Sequence, residues 1–131
     1  MKTSPRVRAV AAAQLSLGAL IAFAVWGLLP ARWAPVDMLG SALSVGCLFA
    51  GGSLLAGAPF GLRAARTVSA LTLGLGLLTT SALCMTVAHL AGSYGPVGQG
   101  GAVLMVVVAL LVVPYLVLLP LLQLTWLRQG D

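Results

Sequence analysis

The chain has 131 residues, of which 60% are hydrophobic and 7% charged, with a formal net charge of +5. A soluble domain carries about 25% charged residues, and seven Lys and Arg with two Asp cannot clothe a water-soluble fold of this length. The composition therefore predicts an all-α integral membrane protein, because lipid is the solvent in which unburied apolar surface is stable. The basic residues sit at the ends of apolar stretches and form no extended face, which excludes nucleic acid as a partner and points to the bilayer and its anionic headgroups.

Charges punctuate the chain. Residues 9–31, 38–62 and 67–127 contain no Asp, Glu, Lys or Arg. A spanning helix needs about 20 apolar residues, so the first two windows hold one span each and the third holds two. The reading is one transmembrane domain over residues 1–131, a four-helix bundle of two helical hairpins, with spans at about 9–29, 38–58, 68–91 and 102–127.

The first span follows Lys2, Arg6 and Arg8, as a secretory signal would. Its apolar run is about twice the 7–15 residues of a signal core and no small-x-small cleavage site follows, so it reads as a retained helix. Pro30 and Pro35 bracket a turn, and Asp37 is placed to cap the second helix with its carboxylate. Gly57 and Pro59 are placed to close that helix. The second span repeats small residues: Ala42, Gly46 and Ala50 recur every four, and Gly40, Ser44, Cys47 and Gly51 form a second series. Small residues let helix backbones approach closely, which is how helices associate in lipid.

The third span, with Thr67 as its expected cap, carries Thr72, Gly76, Thr80, Cys84, Ala88 and Gly92 at a strict four-residue spacing. Such a series drifts by roughly 40° per step on a 3.6-residue helix, so it serves two neighbours rather than one. The stretch from Gly92 to Gly101 is rich in glycine and reads as a loop. It lacks the Gly-Lys-Ser/Thr ending of a phosphate cradle. The fourth span is rich in Val and Leu, and Pro114 and Pro120 predict a bend in it. Tyr115 then stands near mid-membrane, with the carbonyl of Leu110 freed by Pro114 as its expected partner.

With four spans, Lys2, Arg6, Arg8, Arg63, Arg66 and Arg128 share one side and Arg32 stands on the other, which places both termini in the cytoplasm. Trp26, Trp33 and Trp126 fall at the interfacial belts. The Ala-, Gly- and Arg-rich usage suggests a bacterial inner membrane.

No carboxylate, Arg or Lys lies inside a span, so the usual basis for proton or cation coupling is missing. Gln14 and Gln123 fall at the same end of the first and fourth helices and are expected to hydrogen-bond across them. His89 is the sole histidine, and Arg32, Asp37, His89 and Tyr94 form a candidate polar cluster at the outer face, where Asp37 would hold the charge of a histidine titrating near neutrality. One His with Cys47 and Cys84 gives no metal-ligand spacing, so no metal or cofactor is expected. The expectation is a non-enzymatic protein that acts by helix packing, as a homo-oligomer or an accessory subunit of a larger membrane complex. The alternative is a small channel or transporter for a neutral, hydrophobic or weakly hydrated solute, with its path between protomers.

Overall fold

The computed structural model describes residues 4–28 and 34–128. Among these the protein is helical, and four of its helices are long and apolar enough to cross a membrane. Helix α1 spans Pro5–Phe23 and continues into a π-helical turn at Ala24–Leu28. Helix α2 spans Ala34–Leu55, α3 spans Gly61–Ser93, and α4 spans Gly95–Val113. A second π-helical turn, Pro114–Leu118, leads into α5 at Leu119–Arg128.

Local chemistry accounts for the ends. Ser4 caps α1, its hydroxyl accepting from the Val7 amide, with Pro5 in the first turn, where its missing N–H has no partner to lose. The end of α2 is a Schellman turn. The Ala58 amide donates to Ser53 O at 3.0 Å and the Gly57 amide to Leu54 O at 3.2 Å, with Gly57 at φ +66°. That is the closure expected of Gly57.

Three expected features take another form. Asp37 lies inside the first turn of α2, which starts at Ala34, so it is not the cap. Thr67 is not the cap of α3 either. That helix begins at Gly61, and the Thr67 hydroxyl donates back to Arg63 O at 3.0 Å. The expected loop from Gly92 to Gly101 is a single-residue break at Tyr94, after which Gly95, at φ +57°, starts α4. Of the glycines there, Gly98 serves a close approach, since a side chain on it would collide with the Leu90 carbonyl.

The chain divides into two compact units. The first contains α1, α2, the start of α3 and the end of α5. Here α1 and α2 pack antiparallel through small residues. A Cβ at Gly18 would meet Ser44 O at 3.0 Å and Cys47 Cβ at 3.1 Å, and one at Gly51 would meet Ala11 O at 2.9 Å. Contacts pair residues whose numbers rise on one helix as they fall on the other, which fixes the antiparallel sense. The Ser44 hydroxyl donates to Gly18 O at 2.8 Å across this seam, and Trp26 Nε1 donates to Ser41 Oγ at 3.2 Å. Val10, Ala11, Ala50, Leu54, Ala65 and Leu127 form the core.

The second unit covers Leu71–Leu121. Its helices α3 and α4 are also antiparallel, and two glycines make close backbone contacts in it. Gly98 lies against the Leu90 carbonyl, and Gly76 lies against the Leu116 carbonyl in the π turn. That carbonyl is the one an α-helical Pro120 amide would have engaged, and Pro120 has no N–H. The hydrogen that replaces a side chain on Gly76 points at it, a weak Cα–H···O contact.

Candidate functional site

The polar centre of the first unit is a triangle of Gln14, Ser69 and Gln123, contributed by α1, α3 and α5. Gln14 Nε2 donates to Ser69 Oγ at 2.8 Å and to Gln123 Oε1 at 2.9 Å. Ser69 Oγ donates to the same Gln123 Oε1 at 2.9 Å. Gln14 and Ser69 are 0% exposed and Gln123 is 3% exposed. Burying three polar side chains in an apolar bundle is costly unless they are paired, and the triangle pairs them. The expected bond between Gln14 and Gln123 is therefore present, and Ser69 is the member that the sequence reading did not find. A serine within an apolar run is too common a feature to single out.

Two amide atoms remain unpartnered in this buried setting: Gln14 Oε1 and Gln123 Nε2. One helical turn beyond the triangle, at the α1 start and the α5 end, lies a cleft of about 70 Å³ lined by Ser4, Arg6, Val10, Leu62, Trp126 and Leu127, among others. Close by, Arg66 Nη2 donates to Leu127 O at 2.7 Å and so satisfies one of the last carbonyls of α5. A cation at a helix C-terminus also meets the negative end of its dipole.

The four residues of the candidate outer cluster are distributed as follows. Arg32 lies outside the described residues. Asp37 belongs to the first unit, and its Oδ1 is buried with no hydrogen-bond partner among the described residues. His89 and Tyr94 belong to the second, where their rings meet edge to face with centroids 6.1 Å apart. Sequence spacing brings that pair together, since the two lie five residues apart across the end of α3.

The small-residue positions divide in the same residue-by-residue way. Ala50 is in the core, Gly46 is near Val68, with a Cβ there 3.6 Å from Val68 Cγ2, and Ala42 is exposed. In α3, Thr72 and Gly76 are buried and Thr80 is half-buried, its hydroxyl donating to Gly76 O at 2.8 Å. Cys84, Ala88 and Gly92 are exposed. The less exposed positions there are the half-buried Leu83, Val87 and Leu90, which is the drift that a four-residue spacing undergoes on a 3.6-residue helix.

Between the two glycine contacts of the second unit, α3 and α4 enclose an apolar groove of about 560 Å³. Its walls include Thr80, Cys84, Val87, Val106, Leu110 and Val113. Pro114 marks the start of the adjoining π turn, so the expected irregularity at that proline takes the form of an i to i+5 hydrogen bond, from the Leu119 amide to Pro114 O. Tyr115 is exposed.

Among the described residues no three of His, Cys, Asp and Glu gather where they would hold a metal ion. Compared with protein-family models, with curated proteins and with solved structures, the chain matches none.

Proposed function

We propose that the chain is a non-enzymatic integral membrane protein of the bacterial inner membrane, with both termini cytoplasmic, acting by helix packing within a homo-oligomer or as a small subunit of a larger complex. The observation that carries this reading is the exposed continuation of the α3 small-residue series. Thr72 and Gly76 are consumed inside the chain, whereas Ala88 and Gly92, and Cys84 which also lines the α3–α4 groove, are exposed at the same spacing. A side chain at Gly92 would meet nothing within 4 Å. A helix face of this kind admits a second backbone at close range. The many exposed leucines and valines of α4 support a lipid surround.

The test is a photo-crosslinking residue placed at Ala88 in native membranes. A discrete protein adduct, with the chain itself or with another subunit, is the expected result. Adducts to lipid alone would contradict the reading.

A second reading, a carrier or channel for a hydrophobic or weakly hydrated solute, is favoured by the groove between α3 and α4. Its lining is apolar, and the one hydroxyl in it, on Thr80, is already spent on Gly76 O. Pure protein in liposomes should then accelerate transfer of an apolar solute, and a Val106→Trp substitution should suppress it. Equal transfer by empty and loaded liposomes would remove this reading.

A further inference from the structure

The triangle of Gln14, Ser69 and Gln123 is a closed hydrogen-bonding unit with a surplus. Gln123 Oε1 accepts twice and Gln14 Nε2 donates twice, which leaves the acceptor Gln14 Oε1 and the donor Gln123 Nε2 unpartnered and buried. The surplus does not depend on how the amides are oriented. Exchanging oxygen and nitrogen in both side chains reverses the direction of each bond and again strands one donor and one acceptor. Buried amide groups in this state are rare and are met by ordered water where space and access allow.

The cleft at the helix ends lies one helical turn from these amides along α1 and α5. Val10 lies four residues before Gln14, and Leu127 four residues after Gln123, and both line the cleft. The cleft's own volume of about 70 Å³ admits water, which needs roughly 10–15 Å³ of such space. Its rim is polar on one side, with Ser4 and Arg6, and Trp126 is exposed there. The glutamines thus sit one turn behind Val10 and Leu127, the two buried apolar side chains between them and the cleft lining.

We propose that Gln14 and Gln123 form an internal water site, fed from this cleft past Val10 and Leu127, in which water accepts from Gln123 Nε2 and donates to Gln14 Oε1. The ligand class is a small neutral molecule with one donor and one acceptor, and water is its smallest member. The site makes the attachment of α5 a hydrated clasp, so the end of the chain is held by bonds that solvent can exchange.

The experiment is solution NMR of the full chain in nanodiscs, with ¹⁵N-labelled glutamine. Dipolar cross-peaks to water are expected at the Gln14 and Gln123 side-chain amides. Val10→Phe, which places a larger side chain between the cleft lining and the glutamines, is expected to slow exchange of the Gln123 amide protons at least tenfold. Trp126→Ala, at the exposed rim, is expected to accelerate it and serves as the test if Val10→Phe does not fold. Buried amides without a water cross-peak in the native chain would overturn the site. A rate that responds to neither substitution would overturn the path.

Discussion

Gly76 and Gly74 lie two residues apart on α3 and differ in what surrounds them. A side chain at Gly76 would strike the Leu116 carbonyl, whereas one at Gly74 meets nothing within 4 Å. Gly76→Ala is expected to destabilise the protein by about 1–3 kcal/mol through overpacking. Gly74→Ala is expected to be neutral or stabilising by up to about 1 kcal/mol, the helix propensity difference. Denaturation in mixed detergent micelles, followed by circular dichroism, measures both. Equal effects would refute the contact. A similar comparison applies to the glutamines. Gln14→Leu or Gln123→Leu alone strands the other amide, at an expected cost of about 1 kcal/mol, and the double substitution is expected to cost less than the sum of the two. Strict additivity in that cycle would show that the side chains are not coupled. Both glutamines were legible in the sequence because an even number of spans returns the fourth helix to the end where the first begins. Gly18 and Ala11 were not, since two small residues seven apart in a helix rich in alanine carry no visible pattern. Arg66 was read only as a flanking charge, because its target is a backbone carbonyl 61 positions away.

Helix ends and breaks follow rules that the sequence states only in part. Gly57 was legible as a helix stop, because a left-handed cap favours glycine. Gly57→Ala is expected to cost about 1–2 kcal/mol from the strain of a side chain at φ +66°, read in the same denaturation experiment. The stretch after Gly92 was misread because glycine signals both a turn and a close contact, and the two are distinguished only by what lies opposite. Gly95 makes the turn, whereas Gly98 makes room for the Leu90 carbonyl. Of the two small-residue series on α2, the one with Ser44, Cys47 and Gly51 faces α1. Periodicity finds both series and cannot rank them. At Pro114 the sequence predicts a bend, and the structure has a π turn starting there. Pro114→Ala introduces an N–H that can reach Leu110 O, and slow hydrogen exchange of that new amide is expected. An unprotected amide there would show that the π turn does not depend on the proline.

For the molecule as a whole, the proposed membrane class rests on composition, and the four long apolar helices are compatible with it. The distribution of six basic residues on one side and one on the other carries the proposed orientation. A fluorescent-protein fusion at the C-terminus is expected to fluoresce and a periplasmic phosphatase fusion there to be inactive. The opposite pattern would invert the topology. Function was far less legible, for a physical reason. Packing helices need only small residues and apolar bulk, and neither names a partner. The most direct test of the central proposal is native mass spectrometry of the tagged chain, extracted gently from its own membrane at native expression. A discrete assembly, homomeric or with a fixed second subunit, is the predicted result, and a lone monomer would contradict it.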